Sequence, residues 1–171
     1  MKLAKILVPL DGSALAETAL PSAAALADAT GAALLLLRAA EAPAFAVGDP
    51  TEAQVRVVRE AEEYLDAVKR RLQADTRAPI ATAVWYGNPA ETIAEAARFN
   101  RADMVVMTTH GRSGLGRILL GSVAESVIRS TATPILVLHP DGAPLQAPRA
   151  ESRPAATGCA SGWMSAGRIE P

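Results

Sequence analysis

The chain is short of several things. A single cysteine, Cys159, stands among 171 residues. No disulfide can close within the chain, and a reducing, cytoplasmic location is expected. Aromatic residues make up only 4% while apolar residues reach 50%, so a core must be packed from Ala, Leu, Val and Ile. Neither sign of charge is in excess, the formal net charge being −1. That speaks against nonspecific binding to nucleic acid or to acidic membranes, which wants a strong positive balance. Long apolar runs are missing too. "GAALLLLRAA" holds Arg38 and falls short of the roughly 20 residues of a membrane span. The opening "MKLAKILVPLDGS" is broken by Pro9 and Asp11, too early for a signal peptide. With two histidines, no cysteine–histidine cluster points to a metal.

What is present is a regular alternation. "KILVPL" (Lys5–Leu10) is a short apolar run stopped by Asp11-Gly12 and reads as a buried strand. Leu15, Ala19, Leu20, Ala23, Leu26 and Ala27 then recur at helical spacing, with Ser13 as the cap. Pro21 inside that pattern predicts a kink or a division. Gly31 ends the helix and Ala32–Ala39 reads as a second buried strand. After a loop over Glu41–Pro50, a long helix opens at Thr51 with Val55, Val58, Ala61, Leu65, Val68 and Leu72 as its apolar stripe. Pro79–Gly87 alternates like a third strand, and Asn88, Pro89 and Glu91 make a strong helix start. Asp103–Thr108 is the fourth strand; "SVAESVIRS" is helical, with Ser122 and Glu125 at capping-box spacing; Ile135–His139 is the fifth strand.

This β-α-β-α-β-α-β-α-β order predicts an α/β fold with a doubly wound five-stranded parallel sheet, order 3-2-1-4-5, and helices on both faces. The folded domain is expected over 1–140. Residues 141–171, rich in Pro, Ala, Gly and Ser, read as a low-complexity, disordered tail in which Trp163 and Met164 are the only candidates for docking. Such a sheet carries its ligand where the winding reverses, at the C-terminal ends of strands one and four. Those ends are Pro9-Leu10-Asp11 and Thr108 to Gly111.

At that place stands a loop with Gly111, Gly114, Gly116, Gly121, Arg112 and Arg117. The dinucleotide pattern fails because Leu119 stands where a third glycine is required. A P-loop fails for want of its lysine. A general phosphate site remains: the helix beginning near Ser122 offers free amides and a partial positive charge. Gly121 lets a ligand reach that backbone, the Ser122 hydroxyl can donate, and Arg112 and Arg117 can neutralise charge. Asp11 can hold a ribose hydroxyl, or a magnesium ion carried by the phosphates. The plainer alternative is that the glycines only turn the chain and Ser122 only caps its helix.

"KILVPLDGSALAETALPSAAALA", "YGNPAETIAEAARFNRADMVVMTTHGRSGL" and "GSVAESVIRSTATPILVL" resemble the universal stress protein family over about residues 1–140. The resemblance implies the adenine nucleotide alpha-hydrolase-like fold. Its ATP-binding members have the pattern Gly, two residues, Gly, nine residues, Gly, then Ser or Thr. Gly111, nine intervening residues, Gly121 and Ser122 fit, whereas the first glycine position is Thr108. Thr108 either narrows the pocket by its Cβ or donates its hydroxyl to a phosphate. Carried over by position, the resemblance puts Pro9, Leu10 and Asp11 by the adenosine and the Ala39 backbone beside the adenine. Thr108, Gly111, Arg112, Gly121, Ser122 and Val123 would surround the phosphates. ATP, with Mg2+ held mainly by its phosphates, is the implied cofactor, with ADP and AMP left open.

A homodimer through the last strand is also implied, and the apolar edge Ile135, Leu136, Val137 and Leu138 wants covering. No catalytic residue is assigned. His110 as a base is weaker than His110 as a loop residue, and His139 reads as surface or interface. The expected role is a nucleotide-dependent stress-response regulator with no nucleic acid and no membrane partner. A member that works by dimerisation or partner contact without nucleotide is the alternative. So are a slow ATPase or autophosphorylating protein and, more remotely, an unrelated nucleotide-fold hydrolase.

Overall fold

The computed structural model describes residues 3–41, 49–109, 121–140 and residue 145. Its strands are β1 (Lys5–Pro9), β2 (Ala33–Ala40), β3 (Ile80–Tyr86), β4 (Met104–Thr108) and β5 (Ile135–Leu138). Between them run α1 (Ala14–Glu17), α2 (Leu20–Thr30), α3 (Pro50–Leu72), α4 (Pro89–Phe99) and α5 (Ser122–Ser130). All four strand pairings are parallel, and the order is β3-β2-β1-β4-β5. The strand order and the class read from periodicity are those of the molecule.

Alternation along the buried strands supplies two cores. Ile6, Val8, Leu34 and Leu36 face α2 and α3, meeting Ala23, Ala27, Leu65 and Val68. Leu7, Leu35, Leu37 and Val105 face α4 and α5, meeting Ile93, Ala97, Ala124 and Val127. Each large side chain so removed from water contributes about 1.5–3 kcal/mol before the entropy of ordering is set against it. Alanine on the helices lets them lie close to a sheet whose own side chains are large.

Pro21 divides the first helical segment, as its position demands. One turn, α1, is capped by the Ser13 Oγ, which accepts from the Ala16 amide at 3.1 Å. The chain restarts as α2 with Pro21 in its first turn, where a missing N–H costs nothing. Gly31 closes α2 in the left-handed region at φ 73°. The long helix starts one residue earlier than expected, at Pro50, because the Asp49 carboxylate accepts from the Thr51 amide at 2.8 Å. Asn88 caps α4 from Ala90 at 3.1 Å, with Pro89 at its first position. Val55, read as part of the apolar stripe of α3, is 54% exposed, since it lies in the first turns of that helix.

Asp103 does not extend β4 but latches the N-terminal end of the sheet. Its Oδ2 accepts from the amides of Ala4 at 2.8 Å and Lys5 at 2.9 Å. Those two bonds hold its carboxyl below the usual aspartate range. Of the tail, Leu145 is described: its amide donates to the Ser22 hydroxyl at 3.0 Å. The rest of 141–144 and 146–171, with Trp163 and Met164, lies outside the described residues. No helix among the described residues is long and apolar enough to cross a membrane.

Candidate functional site

β1 ends at Pro9, and the Leu10 amide still donates to the Leu37 carbonyl at 2.8 Å. The chain then turns sharply. Asp11 Oδ1 accepts from the Ser13 amide at 2.8 Å, the short-range bond that lets Asp mimic a backbone turn. Gly12 follows at φ 91°, a conformation that costs a residue with a Cβ. Asp11 is thereby set at the mouth of the sheet, with α1 rising behind it.

The opposite wall is β4. Its last residue, Thr108, is the departure from the glycine pattern noted above, and its hydroxyl has a partner. Thr108 Oγ1 donates to the Leu15 carbonyl of α1 at 3.1 Å. Neither of the two roles foreseen for Thr108 describes this bond, which ties α1 to β4 across the crevice. Thr109, 3% exposed, continues the strand direction, its amide donating to Leu138 at 3.0 Å.

The third wall is the start of α5. Here the expected capping differs. Gly121, at φ −58° and ψ 150°, is the N-cap, and Ser122 is the first helical residue, exposed to solvent. The first intrahelical bond runs from the Glu125 amide to the Gly121 carbonyl at 2.9 Å. A glycine cap has no side chain to satisfy the first-turn amides, and among the described residues no side chain caps them. Gly121 does not occupy the left-handed region, so its lack of a side chain bears on space at the helix end and not on backbone freedom.

These walls enclose a cavity of about 300 Å³ lined by Pro9, Leu10, Asp11, Ala39, Thr108 and Val123 among others. Six of the residues singled out from the sequence therefore share one cavity. Gly121 and Ser122 stand immediately before Val123 and do not line it. Gly111, Arg112, Arg117 and His110 lie outside the described residues. Several lining residues went unforeseen: Ser13, Leu15 and Ala16 of the first turn, Pro89 and Ile93 of α4, Met107 and Ala124. The cap Ser13 and the first helical residue Pro89 were legible as helix starts, and helix starts at the C-terminal end of a parallel sheet point toward its ligand end.

The described lining is mostly apolar. Ala39, Pro89, Ile93 and Val123 offer apolar walls of the kind that take a flat ring, and Asp11 is the one carboxylate in the lining of that cavity. Among the described residues no three His, Cys, Asp or Glu side chains gather as metal ligands. Apolar walls can take a flat ring, the Asp11 carboxylate can accept from hydroxyl groups, and the start of α5 beside the cavity is of the kind that attracts anions. His139 follows the end of β5, is exposed, and takes no part in the cavity.

Known proteins resemble this chain over most of its length. Residues 2–139 match the sequence model of the Universal stress protein family. A universal stress protein of Methanocaldococcus jannaschii is 36% identical over 138 residues, covering 78% of this chain and 81% of its own. A second protein of that archaeon, of solved structure, superposes with a TM-score of 0.69 at 30% identity, over 81% of this chain and 97% of its own. A universal stress protein in complex with cAMP shares the fold at a TM-score of 0.65 and 24% identity, over 81% and 99%.

Proposed function

The chain belongs to the universal stress protein family, and from that premise we propose that it binds ATP in the crevice between β1 and β4 and serves as a nucleotide-dependent stress-response regulator. The observation that carries this reading is the cavity of about 300 Å³ at the C-terminal ends of those strands, with Asp11 at one side and the start of α5 at the other. Adenine lies against Ala39 and the apolar face of α4. The Asp11 carboxylate accepts from ribose hydroxyls. Phosphates meet the uncapped amides of α5 together with Gly111, Arg112 and Ser122. Mg2+ would be carried mainly by the phosphates, with Asp11 as the one carboxylate in the cavity lining that could assist. The fold itself holds an adenine nucleotide in the cAMP complex named above. Pairing of two copies along β5 completes the proposal, because Ile135, Leu136, Val137 and Leu138 form a sheet edge and all four are only half-buried.

The test is titration calorimetry with Mg-ATP on the wild type and on Gly121→Val. Gly121 sits at φ −58°, so valine enters without left-handed strain and costs about 1 kcal/mol as a poorer cap. Its branched side chain blocks the approach of phosphate to the helix end. Binding by the wild type and none by a folded Gly121→Val is the expected result. An absence of heat with the wild type at millimolar ATP overturns the reading.

One observation favours a second reading, a member that acts through dimerisation or partner contact without nucleotide. Thr108 replaces the first glycine of the ATP pattern, and its hydroxyl is engaged by Leu15. Mass spectrometry of the protein purified without added nucleotide separates the two: a co-purifying adenine nucleotide excludes the second reading.

A further inference from the structure

Arg38 lies on β2, on the face opposite Ala39, and so points away from the side on which Ala39 lines the cavity. Its guanidinium is nonetheless pressed against the turn that carries Asp11. A Cβ built on Gly12 would stand 3.3 Å from both Arg38 Nη1 and Nη2. The guanidinium also lies over the Tyr64 ring of α3, 4.8 Å from the ring centre. The stack is anchored further out. The Tyr64 hydroxyl donates to Glu17 Oε1 at 2.9 Å, and Arg71 donates to Glu17 Oε2 at 2.6 Å. Glu17 is the last residue of α1, the one-turn helix whose Leu15 is bonded by Thr108. The turn Asp11-Gly12 is thus backed from behind by a cation, a ring and an ion pair that reach from α1 to α3.

Resting on the nucleotide reading above, we propose that Arg38 is a positioning residue for the ribose: by bracing Gly12 against Tyr64 it sets where the Asp11 carboxylate stands in the crevice. The cation suits this role, since a planar guanidinium stacks on a ring and packs flat against backbone, which an ammonium does not. A side chain at position 12 would crowd the guanidinium, which must then give by a few tenths of an ångström, and would also strain the backbone at φ 91°. The electrostatics agree. Burial first, then Glu17, push the Tyr64 phenol well above its ordinary value of 10.0, with Arg38 opposing the shift and Asp11 adding to it. Both charges therefore act at that ring.

The experiment compares affinity for Mg-ATP and for Mg-2′-deoxy-ATP in the full chain. A hydrogen bond from the 2′-hydroxyl to a carboxylate favours the ribonucleotide by about tenfold. In Arg38→Met the preference falls to about unity while affinity for the deoxynucleotide changes by less than about twofold. Arg38→Lys recovers part of the preference, and Tyr64→Leu, which removes the ring backing while leaving Arg38, lowers it as Arg38→Met does. Thermal melting checks that each variant is folded, and Tyr64→Leu carries the test if Arg38→Met is not. An equal loss for both nucleotides overturns the proposal, since that is what a purely structural residue would give. So does an unchanged preference in both Arg38→Met and Tyr64→Leu, or a wild type that binds both nucleotides equally. A wild type that binds neither nucleotide overturns the nucleotide reading itself.

Discussion

Two glycines of the same backbone class offer a measurement of how tightly the Asp11-Gly12 turn is braced. Gly12 has φ 91° and Gly31 has φ 73°. Alanine at either position must enter left-handed backbone, which costs an L-residue about 1–2 kcal/mol. At Gly31 that is the whole cost, since a Cβ there meets nothing within 4 Å. At Gly12 the Cβ lies 3.3 Å from two guanidinium nitrogens, and Arg38 has to give by a few tenths of an ångström. Retreat from Gly12 disturbs its seat on Tyr64, and loss of a cation–ring contact of this kind costs about 0.5–1 kcal/mol. Gly12→Ala is therefore expected to lose about 1.5–3 kcal/mol in all.

Urea unfolding of four proteins gives the decisive number: wild type, Gly12→Ala, Arg38→Ala and the double variant. The coupling between the two sites should be about 0.5–1 kcal/mol, with alanine at 12 less damaging once Arg38 is gone. Gly31→Ala with Arg38→Ala is the control and should be additive. A coupling of zero at Gly12 refutes the reasoning, because it would mean that the guanidinium moves aside at no cost and braces nothing.

Two further outcomes follow from the ends and edges of the sheet. Asp103 has a folded pKa held below its ordinary value of 3.8 by the amides of Ala4 and Lys5. Its contribution to stability is thus fully present above that value and is lost as pH falls through the folded pKa. The melting-temperature gap between wild type and Asp103→Asn should be widest near neutrality and close as pH drops below 3.8; a gap independent of pH would refute this. At the β5 edge, the carbonyls of Pro134 and Leu138 receive the amides of Val105 and Thr109, so alternation turns the Val137 amide outward. Val137→Pro should leave the melting temperature nearly unchanged and sediment as a monomer; a dimer in that variant refutes pairing along β5.

Local chemistry was the legible part of this molecule. Strand runs such as Lys5–Pro9, the division at Pro21, the Asn88 cap and the left-handed stop at Gly31 are each decided by residues within one turn of themselves. The doubly wound order follows from them by the handedness of crossovers. That order alone brought Pro9, Leu10, Asp11 and Thr108 together, while Ala39 and Val123 came from the family resemblance; all six line the cavity. What stayed hidden depends on distance along the chain. The hydroxyl of Thr108 finds a carbonyl 93 residues away, and no spacing rule selects that bond over one to a ligand. Arg38 read only as a charge inside an apolar run, and Tyr64 carried no signal at all. Only the packing of α3 on β2 makes them one stack. The misassigned cap at Ser122 has a simpler cause. Serine is the better cap in general, but Gly121 takes the extended ψ of 150° that the cap position requires.

The strand order also has a consequence for how the molecule assembles. β1, β2 and β3 with their helices form one half of the chain, and β4 and β5 with α4 and α5 the other. The halves join where β1 meets β4, through Ile6↔Met104 and Leu7↔Val105, a closure of almost a hundred residues that comes at a higher entropic cost than either half alone. The cavity straddles this seam, taking Pro9, Asp11 and Ala39 from one half and Met107, Thr108 and Val123 from the other. Whatever is seated there grips both halves at once. On the nucleotide reading proposed above, occupancy acts as a clasp on this long-range joint, and a ligand's presence is recorded as resistance of the two halves to parting.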